Sequence, residues 1–300
     1  LVGSEMCIRD RHIYVQFSFA HLYLLFAFRL HKNRVNINMY TNIDICFRGY
    51  AMKDKPLSFA MPQNACNSHL HIIDPTFPND GKAEIQIGTV ETYRKLADEL
   101  GLPRAIFVQA KPFALDNSCL LDAIERFGSE NCRGIAVVNN TVSDEELERL
   151  HHGGVRGLRF SVWNPNNAVV SFGDCAPLSE RVKHLGWNMQ LHMSARQLVE
   201  HADVIRGLDC KVVVDHMGRL DPMLGVKDPA YPLLLDLIDR GNTWVKLCGP
   251  YLNTTGKKPW KDAAATAKAI AAYAPERVVW GTDFPHVTEK GKPDEWELTE

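Results

Sequence analysis

The sequence predicts a (β/α)8 TIM barrel of the α/β class, and three observations carry that reading. From Asn64 onward, short β-branched apolar runs alternate with amphipathic helical patterns. The alternation yields eight candidate strands separated by seven candidate helices. Each repeat spans roughly 20–40 residues, the spacing of a strand, a helix and two short loops. An open doubly wound sheet is the competing architecture. Its nucleotide-binding form places a Gly-rich loop after the first strand, and HLHIIDPTFPNDG contains none.

The elements follow in order. Residues 66–73 read as the first strand, and TVETYRKLADELG over 89–101 as a helix with a Thr cap and a Gly stop. The second strand is expected over 104–109, with a helix over 118–127. The third is expected over 134–138, with a helix over 143–151 whose SDEE opening puts acidic groups on its first turn. The fourth strand covers 155–160 and its helix 177–185. The fifth covers 188–192, with one helix over 195–205. The sixth covers 211–215, with a helix over 231–240. The seventh covers 243–247, followed by the alanine-rich helix over 261–273, and the eighth covers 277–280. The polar segment after His286 reads as too short for a closing helix, so a barrel truncated after strand eight is expected.

Composition narrows the class. Of the 300 residues, 45% are apolar and 23% charged, with a net charge of −2 and no block of like charge. That balance suits a globular chain with a sizeable core and gives no basis for a nucleic-acid partner. The eight cysteines are scattered without a Cys-x-x-Cys pair, which points to reduced thiols in a cytoplasmic enzyme. The opening is different in kind. Residues 12–30 are strongly apolar and flanked by Arg9, Arg11, Arg29, Lys32 and Arg34, the outline of a membrane anchor. Gln16, Ser18 and His21 interrupt that run, and no small-residue cleavage site follows. LVGSEMCIRDR also resembles the conceptual translation of a sequencing adapter. Residues 1–51 are therefore expected to be a non-native leader, with residues 52–300 forming the barrel, no membrane partner, and Met52 or Met61 as the natural start.

Barrel active sites lie at the C-terminal ends of the strands. His69 and His71 end strand one and, two residues apart, project to one face. His192 ends strand five in QLHMS, His216 follows strand six in VVVDHMGR, and Asp283 follows strand eight in VVWGTDFPH, with His286 beyond. Histidines and one aspartate converging on a barrel mouth suit a nitrogen/oxygen site for zinc or a similar divalent ion. Cations gather at the same mouth: Lys111 after strand two, Arg159 in strand four and Arg219 after His216. Lys246 lies within strand seven, where a barrel interior would bury it. A guanidinium recognises a carboxylate bidentately, although internal ion pairing would use the same groups. The Asn-rich stretch 163–173 is a candidate lid, and Trp163 and Tyr251 are candidate pocket walls.

His69-x-His71, QLHMS, DHMGR, VKLCG and GTDFPH together resemble the amidohydrolase superfamily, and more narrowly its amidohydrolase-2 group of lactonases, from Asn64 to His286. The resemblance implies a hydrolase opening a small carboxylated lactone or ester. Asp283 would be the general base and His216 would bond the substrate carbonyl or the water. His69, His71, His192 and Asp283 would hold one divalent metal such as Zn2+, with His192 tipping the choice toward metal; metal-free catalysis by the histidine cluster is the alternative. Arg159, Lys111, Arg219, Tyr251 and His286 would bind substrate. Strand four ends LRFSV, with no lysine or glutamate to bridge a second ion. The dicarboxylate lactonases of the group expect a further arginine after strand four, where this chain reads SVWNPNNAVVSF. The competing activity is a metal-dependent decarboxylase of the same superfamily.

Overall fold

A computed structural model describes residues 57–79, 86–289 and 293–299. The leader expected over residues 1–51 lies outside them. Eight parallel strands hydrogen-bond in sequence order: β1 (Cys66–Leu70), β2 (Arg104–Val108), β3 (Cys132–Ala136), β4 (Val155–Ser161), β5 (Asn188–His192), β6 (Lys211–Val214), β7 (Thr243–Leu247) and β8 (Val278–Trp280). The helices between them are α1 (Val90–Leu100), α2 (Ser118–Phe127), α3 (Asp144–His152), α4 (Cys175–Val182), α5 (Ala195–Glu200), α6 (Ala202–Gly207), α7 (Tyr231–Asp239) and α8 (Lys261–Tyr273). The chain is a nearly closed (β/α)8 barrel, as the alternation of patterns predicts.

Local chemistry explains where the helices begin and end. The Thr89 and Ser143 hydroxyls accept from the backbone N–H groups of Thr92 and Glu146, satisfying donors that the first turn cannot use. Ser194 and Gln197 cap α5 reciprocally. Gly101 ends α1 at φ 70°, a left-handed conformation that glycine adopts without a steric penalty. The single helix expected over 195–205 is instead two, because the backbone at His201 leaves helical values (φ −107°, ψ 13°). The helix expected over 177–185 starts earlier and tightens into a 3-10 turn at Lys183–Leu185.

The seam between β8 and β1 closes the barrel, and it differs from the other pairings. β1 stops at Leu70 rather than running to residue 73, and β8 stops at Trp280. Beyond those ends the chains stay joined: Asp283 N–H donates to His69 O at 2.8 Å, and His71 N–H to Phe284 O at 2.7 Å. Side chains bridge the rest. Asn67 Nδ2 donates to Thr282 Oγ1 at 2.8 Å, and Ser68 Oγ to Trp280 O at 2.7 Å. Tyr93, Phe107, Phe127 and Phe284 pack behind the seam with ring centroids 5.3–6.0 Å apart. After β8 the polar segment forms a short helix, α9 (Glu295–Thr299), whose Leu298 carbonyl accepts from Trp280 Nε1 at 3.3 Å. Among the described residues, six cysteines are free thiols, and no helix is long and apolar enough to cross a membrane.

Gly281 is required at this seam. A β-carbon there would fall 2.6 Å from the His69 amide nitrogen and 2.8 Å from His69 Cβ. Backbone cannot yield as a flexible side chain would, and overpacking of this kind costs about 1–3 kcal/mol. Gly281→Ala is expected to lower the free energy of urea unfolding by that amount. An unchanged midpoint and slope would show that the seam tolerates the extra carbon.

Candidate active site

The seam brings β1 and the β8 loop together at the C-terminal mouth, and with them His69, His71 and Asp283. Asp283 Oδ1 lies 3.5 Å from His69 Nε2 and 3.5 Å from His71 Nε2. All three residues are buried. The imidazoles continue as a file: His71 meets His69 at 5.1 Å between centroids, His69 meets His216 at 4.9 Å, and His216 meets His192 at 4.9 Å. Among the described residues, two groups hold ligand atoms mutually close enough for one ion: His69, His71 and Asp283, and His69, His216 and Cys248. His192 stands outside both. Its Nδ1 pairs with Ser161 Oγ at 2.9 Å, and its ring stacks on Trp163. The four-residue ligand set expected from the sequence is therefore not assembled, because His192 sits at the far end of the imidazole file.

Beneath the file lies a buried polar network. Lys246 Nζ is within hydrogen-bond distance of Ser68 O (2.7 Å), Gln190 Oε1 (2.8 Å) and His69 Nδ1 (3.1 Å). Asp215 Oδ2 accepts from Arg159 Nε at 3.1 Å and from Gln190 Nε2 at 3.0 Å. Burial pulls Lys246 down from its ordinary range, and Asp215 opposes that pull. Burial alone would push Asp215 up. Its neighbours His69, Lys246 and Arg159 overcome it and hold the carboxyl well below the usual range. Arg159, expected at the substrate, spends its Nε on this internal ion pair. The sequence places Lys246 correctly in the barrel interior.

The network assigns the protons on the imidazoles. An ammonium has three donors and no acceptor. Lys246 Nζ lies nearer His69 Nδ1 (3.1 Å) than Asp215 Oδ1 does (3.4 Å), and we take Nδ1 as the acceptor, with the proton on Nε2 facing Asp283. His71 Nδ1 donates to Val108 O at 2.9 Å, leaving a lone pair on Nε2. Burial pushes the Cys248 thiol far up, so it remains S–H and donates to His216 Nδ1 at 3.2 Å. In that pairing the His216 proton is on Nε2, although Cys248 O also lies 3.4 Å from Nδ1 and would accept from the other tautomer. The spacing of His69, His71 and Asp283 alone would suit a small cation, but the protonation pattern does not. A cation needs a lone pair on His69 Nε2, and the Lys246 ammonium on Nδ1 withholds it. Arg159 and Lys246 already balance Asp215 and Asp283, so a dication would add uncompensated charge to a buried site. With the proton on His69 Nε2, the set favours a water molecule over the ion that its spacing admits.

The remaining candidates divide. Tyr251 Oη donates to Asp283 Oδ2 at 2.6 Å and contacts His286 Nδ1 at 3.1 Å; His286 Nε2 lies 3.1 Å from Glu295 Oε1. Tyr251 and His286, expected to meet substrate, spend their polar atoms on Asp283 and Glu295 instead. Lys111 is exposed at the start of the Lys111–Phe113 turn. Arg219 is half-buried with its guanidinium 4.4 Å above the Trp163 ring, and among the described residues no carboxylate pairs with it. Trp163 thus contacts both Arg219 and His192. Cys248 and Glu295 are contributors that sequence reasoning missed. The VKLCG strand end could have flagged the first; an acidic residue in a polar tail gives no signal for the second.

Comparison with known proteins shows the family and the fold. The Amidohydrolase family model matches residues 66–300. A 4-sulfomuconolactone hydrolase of Rhizobium radiobacter is 31% identical over 262 residues, covering 84% of this chain and 86% of its own. A 2-pyrone-4,6-dicarboxylate hydrolase of Comamonas testosteroni is 34% identical over 256 residues, covering 79% and 81%. A solved apo structure from Agrobacterium tumefaciens superposes with a TM-score of 0.72 at 28% identity, covering 80% of this chain and 88% of that one.

The buried imidazoles give stability a pH dependence. Burial, with the neighbouring Lys246 ammonium, holds His69 well below its ordinary value; burial and His216 do the same for His192. Folding therefore favours the neutral rings. Their contribution is fully present above the unfolded-state value of about 6.5 and is lost as pH falls below it, where only the unfolded chain takes up protons. Urea unfolding free energies should fall between pH 7.5 and 5.5, by up to about 1.4 kcal/mol per pH unit for His69 alone below pH 6.5. A flat profile across that interval would contradict neutral burial.

Proposed function

Because the chain belongs to the amidohydrolase family, we propose that it hydrolyses the ester bond of a small carboxylated lactone without a bound metal. The observation that carries this reading is the placement of Asp283 Oδ1 opposite the Nε2 atoms of both His69 and His71. One water molecule fits that set by its protons. It accepts from His69 Nε2–H and donates to Asp283 Oδ1 and to the His71 Nε2 lone pair. As the water oxygen bonds to the lactone carbonyl carbon, Asp283 takes its proton. Burial opposes the charge on Asp283, but its neighbours His71, His216 and His69 outweigh it and keep the carboxyl well below its usual range. Asp283 is therefore ionised and ready to accept.

His216 Nε2–H is the donor for the carbonyl oxygen as negative charge develops there. The acyl C–O bond then breaks, and the proton held by Asp283 passes to the departing ring oxygen, giving the open hydroxy acid. Arg219 is the group for the substrate carboxylate, held over the Trp163 ring with its N–H fork unspent on protein carboxylates. The named activities of the relatives, sulfomuconolactone and pyrone dicarboxylate hydrolysis, support the substrate class.

Proton release from a panel of carboxylated lactones tests the reaction, since ring opening releases a proton and isomerisation of the ring does not. Asp283→Asn is expected to lower kcat at least about 100-fold, the low end of general-base contributions; near-normal turnover would remove the assignment. Arg219→Met is expected to lower kcat/KM roughly 10- to 100-fold for carboxylated substrates, the loss of a charged hydrogen-bonding partner, and little for the corresponding methyl esters. Dialysis against a chelator should leave turnover unchanged. Loss of activity restored by added Zn2+ would overturn the metal-free mechanism.

A further inference from the structure

Asp283 is gripped from behind by a chain of groups that the proposed hydrolysis does not use. Tyr251, in the 3-10 turn Pro250–Leu252 after β7, has its hydroxyl 2.6 Å from Asp283 Oδ2. Burial and the adjacent carboxylate push its phenol far up, so it keeps its proton and donates it to Oδ2. The phenol oxygen can then only accept, which places a proton on His286 Nδ1, 3.1 Å away. His286 Nε2 in turn lies 3.1 Å from Glu295 Oε1. His286 is 1% exposed and Glu295 5% exposed, so water does not compete for these bonds. The Glu295 carboxyl occupies Nε2 and so holds the ring with Nδ1 facing Tyr251.

We propose that Glu295, acting through His286 and Tyr251, is a positioning residue that fixes Asp283 Oδ2 and leaves Oδ1 as the single basic oxygen. This makes α9, whose first residue is Glu295, a working part of the active site. The inference rests on Asp283 being the base. Supporting groups one bond removed from a reacting group typically alter activity 10- to 100-fold when removed.

The test is steady-state kinetics on the full chain with a lactone that it turns over. Tyr251→Phe, which removes only the hydroxyl, is expected to lower kcat about 10- to 100-fold with KM changed less than about twofold. Glu295→Ala is expected to lower kcat about tenfold. Glu295→Gln should recover most of that loss, because its amide N–H can donate to Nε2 of a neutral His286. In the Tyr251→Phe background, Glu295→Ala should have no further effect. Independent, multiplying losses would overturn the relay, as would Gln performing no better than Ala, or an Ala variant with full kcat. Asp283→Asn, measured alongside, separates the two failures: an active Asn variant removes the base itself, whereas an inactive one beside a fully active Glu295→Ala removes only the relay.

Discussion

The buried carboxylate of Asp215 is the constraint on which the mouth of this barrel depends. It sits at the end of β6 with Arg159 Nε and Gln190 Nε2 on one oxygen, and Lys246 and His69 near the other. Taking such charges out of water costs several kcal/mol each, and removing one partner from a buried pair typically costs about 3–5 kcal/mol. The arrangement is tolerable because each cation meets a carboxylate or carbonyl partner. Its consequence is chemical as well as structural. Lys246, held in place by Ser68 O, Gln190 and the field of Asp215, determines which nitrogen of His69 carries the proton. The protonation pattern around Asp283 is therefore set one layer below the substrate.

The backbone works on the same principle. The hydrogen bonds that finish closing the barrel, Asp283 to His69 and His71 to Phe284, belong to the same residues that face the reacting groups. Closing the β1–β8 seam and assembling the site are one event, so geometry errors in one become errors in the other. Gly281 shows how little slack the seam holds, since its backbone lies almost against that of His69.

Much of the architecture was legible in the sequence because a parallel barrel leaves strong signals. Its strands read as apolar β-branched runs and its helices as amphipathic repeats with end signals, as at Thr89 and Gly101. His69-x-His71 and Asp283 were readable because strand ends map to the mouth. What the sequence could not convey was which polar atoms satisfy one another. His192, His216 and His69 all look equivalent as strand-end histidines, yet the curvature of the barrel separates His192 from the Asp283 corner and gives it Ser161. Arg159 looks like a substrate cation, and nothing in strand four shows that its Nε also serves Asp215, from two strands away. Tyr251 and His286 look like pocket walls until their hydrogen bonds are counted. Glu295 carries no local signal, since its partner lies across a loop and its burial depends on the fold.

Backbone strain is concentrated where these bonds converge. His216, Arg219, Asp283 and His286 all adopt positive φ values of 49–64°, a region that side chains other than glycine enter at a cost. Asp accepts that conformation with modest penalty, but histidine and arginine have less to offset it. Each such residue holds its side chain in the site: His216 against Cys248, Arg219 over Trp163, Asp283 toward His69 and His71, and His286 between Tyr251 and Glu295. A regular strand or helix would carry these side chains past the mouth. The sharp left-handed turns aim them inward, and the surrounding polar network supplies the stabilisation that keeps the turns populated. The same contacts that fix protons on the imidazoles therefore also hold the backbone in the shape that presents them.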